Sequence, residues 1–331
     1  VTLRELNRTL LLRQLLLDRK RISLIKVVTK LVALQAQYAP SPYVALWSRI
    51  EGFRKEQLTR SLAVGAVVKA GSLRTTLHVM ARDEFPYLAA AYVESERART
   101  EGLGVDVELL RAALPDEPMT SAELFELGYR VLGTDDRWTV AFAYRALPFV
   151  RTAPVGEWPH TKPSPFALWH EPLPDPQESA TRVVRQYLAG YGPATRDDIV
   201  QYTSFKVRQI EPALDGLPTF EGDDGRTLYD VPRAPRARGD ARAPVRFLPA
   251  FDSIILAHRA RARIVPPEYA EAVFNKRNAS TKNTFTVDGF VAGAWRIERE
   301  RLTLEPFAPL PARVRREVET EGERLLAWYV S

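Results

Sequence analysis

The sequence predicts an α+β chain: three tandem winged helix-turn-helix modules, then a β-barrel-like C-terminal domain with a closing helix. Three observations predict it. One order of events, a helix, a short helix with a polar start, a second helix and two strands around a turn, occurs three times. The spacing between the three copies is irregular, which excludes a solenoid of fixed period. Beyond a stretch rich in Pro, Arg and Ala the pattern becomes β-rich and ends in one amphipathic helix. The expected domains are 1–118, 119–178, 179–231 and 232–331.

The first copy opens with an amphipathic helix at 3–19, where Arg13 and Gln14 interrupt "LLLRQLLL". "SLIKVVTKLVAL" (23–34) and "FRKEQLTRSLAVG" (53–65) follow as helices, the latter stopped by Gly65. "AVVKAGSLRTTLHVM" then supplies two strands around Ala70-Gly71-Ser72. The second copy starts at "MTSAELFELGYRVLG" (119–133), where Thr120 or Ser121 with Glu123 or Glu126 makes a capping box, and continues through "WTVAFAYRALPFV". The third runs from "SATRVVRQYLAGYG" (179–192) to "PATRDDIVQYTS", with Thr195 and Asp198 at capping-box spacing. "KVRQIEPALDGL" is its second helix and "TFEGDDGRTLYDVP" a hairpin turning at Asp224-Gly225. The arginines at 233, 236, 238, 242 and 246 read as a flexible basic tether.

Composition narrows the function classes. The 331 residues are 45% hydrophobic and 27% charged, enough to bury a core. No stretch approaches the roughly 18 consecutive apolar residues of a membrane span, and no secretory leader is evident, so a cytoplasmic location without membrane partners is expected. The absence of cysteine excludes disulfides, thiolate chemistry and cysteine-ligated metals. His78, His160, His170 and His258 form no i, i+4 pair, so neither metal nor cofactor is expected. A net charge of +6, with arginine about four times as frequent as lysine, points to an acidic partner, and nucleic acid is the usual one.

Two carboxamides stand out in "LVALQAQYAPSPYVALW" (31–47). On a helix Gln35 and Gln37 diverge by about 200°, whereas on an extended chain they share a face. Pro40 and Pro42 push Ala39 and Ser41 toward extended backbone, so the helix is expected to unwind near Leu34. The plainer alternative is a helix end whose carboxamides satisfy backbone groups.

Taken with "GSLRTTLHVM", "VRFLPAFDSIILAH" and "TFTVDGFVAGAWR", this stretch resembles the winged-helix DNA glycosylases of the AlkZ/YcaQ type along essentially the whole chain. The resemblance implies that a Gln-x-Gln or Gln-x-Asp motif carries catalysis, here Gln35 and Gln37 of the Gln-x-Gln branch. That branch protects antibiotic producers from their own DNA-alkylating products, such as azinomycin B. The implied reaction is monofunctional excision of N7-alkylguanine from double-stranded DNA, bulky adducts and interstrand crosslinks included, by a monomer. The chemistry is consistent with carboxamides. An N7-alkylated purine is already cationic, so the enzyme must chiefly orient water and stabilise an oxocarbenium-like sugar. Gln37 would position the water and Gln35 stabilise sugar or water, or the reverse.

Further candidates each carry a plain alternative. Strand alternation puts Arg74, Thr76 and His78 on one face; Arg74 would touch phosphate and His78 line a pocket with Tyr38, or His78 is a structural histidine. In "FDSIILAHRARAR", Asp252 reads as a supporting carboxylate, and Arg261 and Arg263 as phosphate ligands on an extended run or as a solvated face. "AVFNKRNASTKNTFTV" reads as strand, polar loop, strand, and its Lys276, Arg277 and Lys282 would enter a DNA groove or form an ordinary loop. Lys206 and Arg208 open a helix where a phosphate contact is natural, or are surface charge. Two rival functions remain: a non-catalytic winged-helix regulator, and a stoichiometric drug-sequestering protein using Tyr38, Tyr43 and Trp47.

Overall fold

The computed structural model describes residues 1–153, 158, 164–275, 277 and 279–331. Helix α1 (Leu3–Arg13) starts at a capping box in which the Thr2 hydroxyl accepts from the Glu5 amide and the Glu5 carboxylate accepts from the Thr2 amide. It stops at Arg13 and does not run to 19, because its polar end is anchored in the core. The Arg13 guanidinium is bidentate on Asp230 and Gln14 donates to the Gly190 carbonyl. Leu15 then takes a left-handed backbone and turns the following leucines inward.

Helix α2 (Leu24–Lys30) is capped by Ser23 and ends at Leu31. Val32, at φ 65°, reverses the chain into strand β1 (Leu34–Gln35). The helix therefore unwinds earlier than Leu34. The prolines act differently from the sequence expectation: they open α3 (Pro40–Trp47), with Ala39 already in helical conformation. The first turn of a helix needs no donor from its leading residues, so proline is at home there. Helix α4 (Lys55–Ala63) ends before Gly65, at φ 69°, and leads into the hairpin β2 (Val67–Gly71) and β3 (Leu77–Ala81).

The long helix α5 (Phe85–Gly102) leads through α6 (Val107–Ala112) to the stretch expected as the second copy: α7 (Ser121–Leu132), α8 (Arg137–Arg145), β4 (Phe149–Arg151) and β5 (Phe166–Leu168). Thr120 and Glu123 form the box that caps α7, and Gly133 ends it in the left-handed region. The stretch expected as the third copy holds α9 (Pro176–Tyr191), α10 (Arg196–Thr203) with its Thr195–Asp198 box, α11 (Val207–Leu214), β6 (Thr219–Glu221) and β7 (Thr227–Tyr229). The hairpins of the first two copies merge. They form one antiparallel five-stranded sheet in the order β1-β3-β2-β4-β5, with Ala70 opposite Val150 at the seam.

The stretch after 231 is held in place along α1, correcting the expectation of a loose tether. Arg8 donates to Ala241 O and Arg13 to Pro235 O, at 2.7 and 2.9 Å, and Ala237 N donates to Thr9 Oγ1. Arg246 is not part of it; it is buried in β8 (Arg246–Leu248). Next come α12 (Ser253–Leu256), α13 (Ala270–Val273), the two-stranded β9 (Phe274–Asn275) and β10 (Ser280–Thr281), β11 (Thr284–Val287), β12 (Phe290–Glu298), β13 (Arg301–Pro306) and α14 (Ala312–Val330). Strands β13-β12-β11-β8 make an open sheet with two edges, not a barrel. Four strands are too few to close around a packed interior, and α14 covers one face instead.

Two large cores tie the copies together. One joins Leu10, Met80, Leu88, Val184, Ile199, Ile254 and Val291; the other joins Val28, Leu46, Trp47, Phe247, Phe285 and Leu325. The second copy keeps a smaller cluster of its own around Leu110, Ala143 and Leu147. Tyr43 and Trp47 are core residues, which removes them from any drug pocket.

Candidate functional site

The short strand β1 positions the two glutamines. Its pairing with β3 sets Gln35 directly opposite His78, and the chain bends at Gln37 just beyond the strand. Gln35 is buried, 5% exposed, whereas Gln37 is exposed. The two side chains touch: Gln35 Nε2 donates to Gln37 Oε1 at 2.9 Å.

Behind Gln35 lies Arg74, and its location corrects the strand expectation. Residues 73–75 form a 3₁₀ turn between β2 and β3, with Arg74 and Thr75 at φ 53° and 57°. The turn folds the guanidinium inward. Nη2 donates to Gln35 Oε1 at 3.2 Å, Nη1 to Tyr202 O at 3.0 Å, and the guanidinium carbon stands 4.9 Å from the Tyr202 ring centre. Burial lowers the Arg74 pKa from its ordinary value, although a guanidinium stays protonated there.

His78 closes the chain from within and lines no open pocket. Its Nδ1 sits 3.0 Å from Thr76 O and 3.3 Å from Ser72 Oγ, and its Nε2 is 3.5 Å from Arg74 Nη2. A carbonyl only accepts, so Nδ1 carries the proton and Nε2 turns a lone pair toward the guanidinium. Complete burial, reinforced by the Arg74 charge, pushes its pKa down to about 3, so the imidazole is neutral at pH 7.

Two clefts meet at Thr75 and Tyr92. One, of about 550 Å³, is polar and of mixed charge, lined by Arg74, Arg99, Lys206 and Arg259 with Glu96 and Asp197. The other, of about 300 Å³, has Gln37 and Thr76 on one wall and Phe125, Tyr144, Arg145 and Phe166 on the other. The second copy's aromatic wall was not anticipated from the sequence. Its signal was there in the aromatic spacing of "LFELGYR" and "WTVAFAYR", which reads equally as core.

The remaining predicted residues scatter. Tyr38 lines a separate depression with Ser41, Trp295 and Tyr329, away from Gln37's cleft. Lys206 is exposed on the polar cleft, and Arg208 is exposed on α11. Arg261 and Arg263 lie on a 3₁₀ turn, not an extended run. Arg261 is half-buried, 3.9 Å from the Phe274 ring centre. Arg263 is buried and donates to Pro193 O, so no free guanidinium remains for a phosphate. Asp252 caps α12 and is bidentate on Arg49 in the core, as a supporting carboxylate would be. Arg277 is exposed at the tip between β9 and β10, and Lys282 is exposed with Glu305 at 3.7 Å. Lys276 lies outside the described residues. Among the described residues, no three metal-ligating side chains gather into a site and no helix is long and apolar enough to cross a membrane.

The scaffold is mixed α/β, with Gln37 on the wall of an aromatic cleft and Gln35 behind it. The profile of the DNA glycosylase AlkZ-like family matches residues 28–328. The chain belongs to that family. It is similar to an interstrand DNA cross-link repair glycosylase of Streptomyces sahachiroi, 26% identical over 89% of this chain and 88% of the relative. Its fold matches the structure of the Streptomyces sahachiroi DNA glycosylase AlkZ with a TM-score of 0.79 at 21% identity, covering 99% of this chain and 97% of that one.

Proposed function

We propose that this protein is a monofunctional glycosylase that hydrolyses the N-glycosidic bond of N7-alkylguanine in duplex DNA. Bulky antibiotic adducts and interstrand crosslinks of the azinomycin type are within its range, so it serves repair and self-resistance. The observation that carries the reading is the Gln35–Gln37 contact at the open edge of a cleft. Alkylation makes the base a good leaving group: N9 takes the bonding pair and departs with the imidazolium neutralised. Water adds to C1′ and releases a proton to solvent. Gln37, exposed on the cleft, positions that water, and Gln35 stabilises the water or the sugar from behind. Neutral bases leave too slowly to be attacked. "LQAQY" contains no lysine to form a Schiff base with the sugar, so strand cleavage does not follow excision.

The three copies act as winged-helix modules over 1–118, 119–178 and 179–231, with 232–331 as the β-rich C-terminal domain. The duplex backbone runs along the polar cleft, where Lys206 and Arg259 face solvent. Arg208, Arg261, the β9–β10 tip with Arg277, and Lys282 after β10 extend that surface. The protein acts as a monomer. An open cleft suits crosslinks, which cannot be flipped fully into a closed pocket.

The deciding experiment incubates the protein with duplex DNA carrying N7-methylguanine and measures alkali-labile abasic sites. We expect multiple turnovers, with Gln35→Ala and Gln37→Ala each slowing excision by about 10²–10³ while DNA binding holds. Full-speed excision by both variants removes the glutamines from the mechanism.

A further inference from the structure

Three buried guanidinium groups sit on carboxylates, and Arg74, half-buried beside the first cleft, does not. Arg13 is paired with Asp230, Arg49 with Asp252 and Arg8 with Asp288. Arg74 has no carboxylate among the described residues. Its acceptors are neutral: Gln35 Oε1, Tyr202 O and the lone pair on His78 Nε2. Among the described residues, buried Arg263 likewise contacts only Pro193 O and His258, so the missing carboxylate alone marks nothing; what sets Arg74 apart is that its contacts lead through Gln35 to the exposed Gln37.

The chemistry of the chain of contacts explains what the arginine does. A carboxamide has an acceptor end and a donor end of nearly equal shape, and the two interconvert by a half-turn. Arginine only donates. Facing Arg74, Gln35 must present Oε1, which sends Nε2 toward position 37; Gln37 must then answer with Oε1. Each orientation is forced by the one before it. His78 performs the first step: its proton is spent on Thr76 O, so Nε2 can only accept and Arg74 is held in place.

We infer that Arg74 is a positioning residue of the glutamine pair, fixing which end of each carboxamide faces the cleft, and is not a phosphate ligand. The result is a defined polarity at the exposed end. Gln37 offers its amide hydrogens and one remaining Oε1 lone pair to the cleft, and accepting from Gln35 strengthens it as a donor. This inference rests on the glycosylase reading above.

The test is a double-mutant cycle on single-turnover excision of N7-methylguanine, with duplex affinity measured across a salt series. Arg74→Ala should slow excision by about 10- to 100-fold at saturating protein, leaving affinity and its salt slope unchanged. In a Gln35→Ala background the same change should slow excision by less than threefold, because the group it orients is gone. Arg74→Lys, still a donor to Gln35, should recover most of the rate. Slowing factors that multiply in the cycle overturn the inference. So does weaker duplex binding with a salt slope reduced by about one and a normal rate once bound, the signature of a phosphate contact. If Arg74→Ala fails to fold, Gln35→Glu carries the test. A carboxylate pairs with Arg74 but gives Gln37 no donor, so excision should fall to the Gln35→Ala level with binding intact, and wild-type excision overturns the inference. A wild-type protein that leaves N7-methylguanine untouched defeats the glycosylase reading itself, and the positioning role with it; that result is distinct from every variant outcome.

Discussion

Among the described residues, two buried histidines each lie against a guanidinium, and the two pairs differ in where they lead. His78 lies against Arg74, and His258 lies against Arg263 with Nε2 3.1 Å from Nη1. Burial comes first and the neighbouring arginine second in driving both histidines down to about 3. By burial and titration alone the two are twins. Their surroundings separate them. His258 Nε2 reaches Tyr191 O and Arg263 reaches Pro193 O, both backbone groups of the core, and Asp198 provides a nearby negative charge. The other pair passes through Gln35 to the exposed Gln37. A perturbed pKa marks burial; an unbroken path of polar contacts to a cleft is what marks a site.

Removing each arginine sharpens this contrast in stability. Arg263→Ala should lower unfolding free energy in urea by about 3–5 kcal/mol, since it strips a network containing a buried charge of its partner. Arg74→Ala, which leaves only neutral acceptors unpaired, should lower it by about 1–3 kcal/mol. Equal losses would break the distinction. The histidines test what the pairs share. An unfolded histidine takes up a proton near pH 6.5, whereas these two resist it down to about pH 3 in the folded chain. Between those limits the unfolded state binds more protons, so stability must fall as pH drops, by up to about 1.4 kcal/mol per pH unit for each histidine. His78→Gln and His258→Gln should each flatten that slope equally in acid unfolding titrations. The smallest effect belongs to the exposed cleft. Lys206→Ala should weaken duplex binding and reduce the log affinity against log salt slope by about 0.9, as one lost phosphate contact does.

Much of this was legible in the sequence, for identifiable reasons. Helix starts at Thr120 and Thr195 follow from hydroxyl-to-carboxylate spacing, a purely local signal, and the Asp224-Gly225 turn likewise. Gln35 and Gln37 were legible as a pair because an extended chain puts alternate residues on one face. Arg74 was misplaced because a left-handed backbone at two non-glycine residues has no local signature; it goes with contacts to Gln35 and Tyr202, 39 and 128 positions away. Pro40 and Pro42 were misread because the restriction they place on their predecessors is a preference that packing of α3 overrides. The basic stretch after 231 resembled a tether by composition, but its carbonyls are claimed by α1.

That last contact has a consequence for how the chain is made. The guanidinium groups of Arg8 and Arg13, and the carboxamide of Asn7, take partners at Asp230, Pro235, Ala241, Arg263 and Gly289, up to 282 positions away. An amino-terminal helix emerging from the ribosome finds none of them. At roughly 5–20 residues per second, about 14–56 s pass between its synthesis and that of its last partner. Until then α1 carries buried-type polar groups with nothing to bind but water, so it must stay outside the core or be held by a chaperone. Helix α1 is therefore among the last elements to dock, and synthesis through Gly289, rather than stepwise addition of modules, times its docking.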